Sequence, residues 1–361
     1  MLEENFRGWD LFDGLNSRVF STSPLTGSRF CRLAWIQFFK KSPLNFRRIA
    51  GVPKEKNPKG VGLFASALFR LGETSYAERL LDQLLGMRAS DYSGHSWGYN
   101  FDWQARAFFV PKGKPNMVTT VFVAQAFLDA FERTGDEKWL EPARGACTFI
   151  MENLLMEPGP CFAYIPGEPA RVHNANMLGA ALLGRVYEIT GEKNLFEVSK
   201  AALGYSVKAL RSDFSWPYGE RDHHRFVDNF HTGFNLVSLN EWMQATGEHC
   251  WEEDLRGAYR YFLETFWLQD GCPKYYHDRL YPVDIHCSAQ GIVTCVKLKK
   301  YDVSSLERAK TIATWAIENM QDPDGYFYYQ KTRWYTNKIP YIRWSQAWML
   351  YSLAHLLELE K

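Results

Sequence analysis

Apolar residues along this chain fall into segments of two alternating kinds. Val118 to Arg133 (VTTVFVAQAFLDAFER) is apolar around most of its circumference, which predicts a helix buried on all sides. Glu137 to Leu155 is amphipathic, with Trp139, Leu140, Ala143, Ala146 and Ile150 at helical spacing, so one face is expected in water. Between the two, Thr134-Gly135 stops the first helix, the glycine taking the left-handed position beyond the last turn. Asp136-Glu137 then places negative charge at the start of the second helix. One unit is therefore a buried helix, a tight turn and a half-exposed helix.

The unit recurs every 56 residues. Thr-Gly-acid stands at Thr134, Thr190 and Thr246, and Thr120, Asn176, Thr232 and Ser288 keep the same interval near the start of four apolar segments. A fixed period of this size means one supersecondary unit stacked on itself. Buried helices are expected over about 60–71, 118–134, 174–190, 230–246, 286–300 and 341–358. Half-exposed partners are expected over about 75–87, 137–155, 193–210, 250–266 and 304–320, with 28–40 as a sixth at the N-terminal end. Helix 28–40 lacks an inner helix directly before it and 341–358 lacks an outer helix after it, so the two halves complete one another if the array closes. An open superhelix needs polar terminal caps, and 341–358 is strongly apolar. The expectation is an all-α (α/α)6 barrel filling residues 1–361 as one domain, with an N-terminal extension over 1–27.

Turns from inner to outer helix are short, whereas the returns at 88–117, 156–173, 211–229, 267–285 and 321–340 are long. All long loops must emerge on one rim, and long loops in compact domains are usually functional. Composition supports that placement: 13 Trp, 19 Tyr and 25 Phe make up 16% of the chain, and many sit in these loops. Each loop opens with an aromatic patch (Trp97 and Tyr99, Phe162 and Tyr164, Trp216 and Tyr218, Tyr275 and Tyr276, Tyr328 and Tyr329). The first loop adds Asp102 and Trp103. Polar clusters close the loops: Asn116; His173, Asn174 and Asn176; Asp228, Asn229 and His231; Asp284 and His286; Arg343, Trp344 and Gln346. Aromatic faces stack on sugar rings, and hydroxyls need paired donors and acceptors, so such a mouth suits a glycan.

Two chemistries fit these residues. In one, His231 or His286, assisted by Tyr276, abstracts the proton next to a uronate carboxylate, with Asn174, Asn229, Gln346 or Arg343 stabilising the developing charge. In the other, a carboxylate pair from Glu220, Asp228, Asp278 and Asp284 hydrolyses a glycosidic bond. His277, Arg279 and Arg333 lie in the same loops, and arginines there could grip a uronate or phosphate. Asn116, Asp228 and Asp284 stand one or two periods apart, which equally fits helix N-caps. A non-catalytic glycan-binding subunit of a polysaccharide assembly system is the alternative from another class.

Net charge is +1, without the basic footprint that nucleic acid needs. No stretch has the ~20 apolar residues of a membrane span. Met1 to Asn16 is charged and has no apolar signal core, so an intracellular, cytoplasmic protein is expected. Seven cysteines without a C-x-x-C pair read as reduced thiols. No Walker loop, H-E-x-x-H or zinc-finger spacing occurs. No cofactor and no metal is expected, with Cys287 beside His286 read as a core residue.

The stretches SPLNFRRIAGVPKEKNPKG (42–60), WGYNFDWQARAFF (97–109), HNANMLGA (173–180), DNFHTGFNL (228–236), YYHDRLYPVDIHCSAQGI (275–292) and IPYIRWSQAWMLY (339–351) resemble one family. Its members are α/α-barrel proteins encoded in bacterial exopolysaccharide and surface-glycan gene clusters, grouped with the six-hairpin glycosidases. The resemblance implies the barrel fold, a role in polysaccharide biosynthesis, an oligo- or polysaccharide substrate and association with polysaccharide-synthesis proteins. It carries no catalytic role residue by residue. Relatives sometimes bear a δ-aminolevulinate dehydratase label, but that enzyme is a β/α barrel and this chain has no strand–helix alternation.

Overall fold

A computed structural model describes residues 5–105 and 108–360. A single turn α1 (Arg18–Ser21) precedes α2 (Arg29–Lys41), and then the repeats begin. The inner helices are α3 (Pro58–Leu71), α5 (Met117–Thr134), α7 (His173–Thr190), α9 (Asn229–Thr246), α11 (Ile285–Lys297) and α13 (Trp348–Glu358). A π-helical first turn, Ile342–Ala347, leads into α13. Between them run α4 (Thr74–Leu85), α6 (Leu140–Phe149), α8 (Lys193–Val207), α10 (Glu252–Thr265) and α12 (Ser305–Met320). Each inner helix packs on the next, and α13 returns to α3, so the ring is closed. This is an (α/α)6 barrel, and among the described residues no helix is long and apolar enough to cross a membrane.

The inner helices begin at the elaborate rim and end at the plain one. At the beginning, side chains of Asn57, Asn116, Asp228 and Asp284 accept backbone N–H bonds of 2.9–3.3 Å from Gly60, Thr119, His231 and His286. At the end, Gly72, Gly135, Gly191 and Gly247 hold φ of 68–90°, the left-handed stop that the Thr-Gly markers predict. The plain end is plugged by ions. Asp129 lies between Arg70 (2.9 Å) and Arg185 (3.3 Å), and Lys297 binds Glu241 at 2.5 Å.

The long loops stitch neighbouring repeats together. The first N–H of an inner helix has no partner within its own helix. Here it donates to a tyrosine carbonyl of the following repeat: Met117 to Tyr164 (2.9 Å), His173 to Tyr218 (3.0 Å), Asn229 to Tyr275 (2.9 Å) and Ile285 to Tyr329 (3.2 Å). Short strands add to the rim, β1 (Trp103–Gln104) with β2 (Phe109–Val110), and β3 (Val283–Asp284) with β4 (Gln330–Lys331) and β5 (Thr336–Asn337). All pairings are antiparallel.

One expectation fails. Helix 28–40 does not complete the outer ring: α2 packs on residues 13–16, on residues 24–27 and on β1, all at the mouth. Arg32 donates to Gln104 (2.9 Å), and Tyr335 and Asn337 reach the carbonyls of Lys41 and Ser42 (2.6 and 2.9 Å). The reason is connectivity. The strand of chain before α2 is already fixed at the mouth, where Trp9 accepts from Ile342 and Asp10 pairs with Arg343, and α3 starts there too. A 13-residue helix whose two ends lie on one rim must cross it. Only Ile36 and Phe39 of α2 are buried, too narrow a stripe for a wall helix.

Candidate active site

Capping and closure together set a single ring of side chains. The second residue of every inner helix, counting α13 from its π-helical turn, lines one chamber of about 170 Å³ at the barrel axis. These six are Lys59, Val118, Asn174, Phe230, His286 and Arg343. Tyr99, Phe101, Trp103, Tyr164, Tyr218, Tyr275 and Trp344 form the aromatic wall above them. A vestibule of about 350 Å³ opens outward and shares Phe12, Lys40, Trp103, Tyr164, Tyr218 and His231 with the chamber. Tyr276 and the His223–His224 pair line the vestibule and not the chamber. A larger groove of about 560 Å³ lies on the outer wall beside α6 and α8, and no axial residue reaches it.

His231 stands where chamber meets vestibule. Its Nδ1 lies 2.7 Å and 3.0 Å from the two carboxylate oxygens of Asp228, which also caps the helix through the His231 N–H at 3.1 Å. A carboxylate can only accept, so Nδ1 carries a proton, and in the neutral ring that tautomer leaves the lone pair on Nε2. His286 is set similarly by a weaker partner, its Nδ1 facing the Trp344 carbonyl at 3.2 Å. Burial, then the charge of Lys59, holds the His286 imidazole well below its usual range, so it is neutral. Both imidazole centroids lie within 5 Å of the Phe230 ring, at 4.1 and 4.8 Å.

Arg343, Lys40 and Lys59 line the chamber, and among the described residues no carboxylate does. Arg343 is held by Asp10 through two bonds of 2.7 Å, using Nε and Nη2. Asn174 presents a buried side-chain oxygen without a protein partner. Tyr164 and Tyr99 share an O–H···O contact of 3.0 Å, and burial pushes the Tyr164, Tyr218 and Tyr275 phenols up, so all three are neutral donors.

Other residues singled out by sequence lie elsewhere. Asp284 accepts from the His286 N–H (3.0 Å), Trp344 Nε1 (2.9 Å) and Gln330 Nε2 (2.9 Å), fully buried behind the chamber wall. Burial raises it to about 6 against those bonds. Asn176 and Gln346 accept the Phe162 and Phe327 N–H groups (2.8 and 2.9 Å), anchoring the loops. The indoles of Trp97 and Trp216 donate to the Leu84 and Ser206 carbonyls (2.7 and 2.9 Å) inside the wall. His173, at the first position of its helix and not the second or third, turns away to Ser206 (3.1 Å), and Asn229 is buried off the chamber. Glu220 bonds Tyr205 and Arg171 on the exposed rim, and Asp278 pairs with Arg279 in solvent. Asp102 accepts the Lys112 N–H, and His277 faces the Val227 carbonyl. Arg333 lines a groove with Trp334 that adjoins the mouth through Lys40, Tyr275 and Tyr276 but lies outside the chamber.

Sequence reasoning passed over Lys59, Lys40, Phe12 and Asp10. A signal existed for the first. Aligning Asn57 with Asn116, Asp228 and Asp284 as caps puts Lys59 in register with His286. Cys287 is buried, its thiol pushed well above the usual range, and all seven cysteines are free. Among the described residues no three metal-binding side chains converge.

No family model matches the chain, and no curated protein matches it. Solved structures do. A cellobiose 2-epimerase from Bacillus thermoamylovorans superposes with a TM-score of 0.67 at 12% identity, over 86% of this chain and 90% of its own. A sugar epimerase from a ruminal bacterium gives 0.65 at 14% identity over the same shares. An unsaturated glucuronyl hydrolase specific for heparin gives 0.64 at 12%, over 84% and 86%. What the chain shares with these structures is the (α/α)6 barrel. At these identities the likeness extends to fold alone.

Proposed function

We propose that this protein is a carbohydrate-processing enzyme that moves a proton on a carbon next to a carbonyl or carboxylate group, an epimerase or isomerase of sugars. The observation that carries this reading is His231, aimed by Asp228 at the mouth of an aromatic chamber that no carboxylate lines. Nε2 of His231 takes the proton, and Asp228 stabilises the imidazolium that results. His286 is too strongly depressed to hold a proton for return, so it accepts a hydrogen bond from a substrate hydroxyl. Nη1 of Arg343, which the two Asp10 bonds leave over, faces the negative charge that develops on oxygen. The fold's similarity to two sugar epimerases supports the reading. Glycoside hydrolysis needs two facing carboxyl groups across the substrate, and Asp228 and Asp284 are each committed to other partners. The sequence resemblance adds the setting: a cytoplasmic step on a building block of surface polysaccharide.

Incubation in D2O with free aldoses, ketoses and uronates, read by NMR, tests the proposal. One deuterium should enter carbon next to the carbonyl or carboxylate, and His231→Gln should slow entry by about 10²-fold or more. Cleavage of an oligosaccharide without exchange would replace this reading with hydrolysis. Binding without any change would make the protein a glycan-binding subunit.

A further inference from the structure

Lys59 sits at the second position of α3, 3% exposed, with its amine at the chamber floor. The acid whose charge reaches it, Asp10, is committed to Arg343 by two bonds. What surrounds Nζ is aromatic: the ring centroids of Phe122, Trp348 and Phe234 stand 4.2, 5.1 and 5.4 Å away. Ring faces attract an ammonium. Burying one without a carboxylate partner works against it, and Arg343 repels it further. Burial dominates, and the amine is held well below the usual lysine range. A methionine would fill the same space without that cost, so packing does not account for the amine.

A lysine desolvated in an apolar site beside another cation is a nucleophile. Its position relative to the base matters equally. The Phe234 centroid lies 5.4 Å from Nζ and 6.1 Å from the centroids of both His231 and His286. All three groups line the same small chamber as that ring, where one bound molecule meets them together. We propose that Lys59 is a covalent catalyst that condenses with the aldehyde or ketone carbonyl of an open-chain sugar or keto acid, while His231 removes the proton from the adjacent carbon. This rests on the proton-transfer reading above and names its substrate as a free carbonyl compound.

The chemistry balances without a further reactant. Nζ adds to the carbonyl carbon, and the carbonyl oxygen leaves as water after gaining two protons, one from Nζ and one from solvent, which recovers it when water adds back at the end. The iminium that remains draws electrons from the neighbouring carbon, and His231 takes that carbon's proton to leave an enamine. Return of the proton and addition of water release the product and the free amine.

Reductive trapping reads the imine directly. The full chain is treated with sodium cyanoborohydride and, in separate arms, D-mannose, D-glucuronate or pyruvate, then digested for mass spectrometry. Hydride adds to the C=N bond and fixes the probe on nitrogen. The expected result is an adduct at Lys59 at least tenfold above any surface lysine, and the arm that labels distinguishes a sugar from a keto acid. Adducts on surface lysines with Lys59 unmodified in every arm would overturn the proposal, and this needs no variant to fold. His231→Gln should still trap at Lys59 while losing deuterium exchange. Exchange without trapping removes the imine and leaves proton transfer standing. Trapping without exchange in the native protein removes proton transfer and leaves the imine.

Discussion

Asp228 and Asp284 occupy the same place in the repeat and do different things with it. Each caps an inner helix, but the residue three positions on differs: His231 in one repeat, Cys287 in the next. Asp228 therefore spends its carboxylate on an imidazole, whereas Asp284 spends it on Trp344 and Gln330. Asp228→Asn should keep the cap yet lose the acceptor that fixes the His231 tautomer. Deuterium exchange should fall by roughly 10²–10⁴-fold with little change in melting temperature. Asp284→Asn should leave exchange within about threefold, because that side chain touches no chamber space. Equal losses in the two variants would undo the assignment. The sequence showed both aspartates as caps or catalysts and could not choose, since the choice depends on which side of the helix a neighbour presents. The spacing of His231 from its cap was legible; the burial of Lys59 beneath three rings was not, because Phe122, Phe234 and Trp348 come from three different helices.

At the scale of elements, periodicity carried most of the information. The inner helices fall close to the segments expected, because turns closed by glycine leave little freedom in where a helix stops. Gly191 tests this cleanly. Its φ is +70°, and a Cβ added there would meet nothing within 4 Å, so Gly191→Ala reports backbone strain alone. Chemical denaturation should show a loss of about 1–2 kcal/mol, with exchange activity unchanged. No loss would mean that this turn readily adopts another shape. Helix α2 was misplaced for the complementary reason: its own pattern is helical in either location, and only contacts from residues distant in sequence hold it over the mouth. The result is functional, since α2 brings Lys40 to both chambers.

Across the whole molecule, closing a ring of six helices buries polar groups at both ends, and that makes stability depend on pH. His173 is lowered to about 4 by burial, and burial holds His286 and His355 well below their usual range. Each is neutral when folded and takes a proton when unfolded, so its stabilisation is complete above about pH 6.5 and is lost as pH falls. Asp13 and Asp284, raised by burial to about 6, act oppositely: they favour the fold in acid and lose that contribution as pH rises through 6. One pKa unit is worth about 1.4 kcal/mol. At pH 5 three histidines each forfeit roughly 2 kcal/mol and two aspartates each return roughly 1.5, so the histidines win. Denaturant titrations should find the protein about 3 kcal/mol less stable at pH 5 than at pH 7. His355, at the plain end with Nδ1 on the Tyr351 carbonyl at 2.9 Å, is remote from the chamber. His355→Asn should therefore remove roughly 2 kcal/mol of this acid sensitivity while leaving the pH profile of deuterium exchange in place. Stability that held or rose between pH 7 and pH 5 would mean that these imidazoles are charged in the folded barrel.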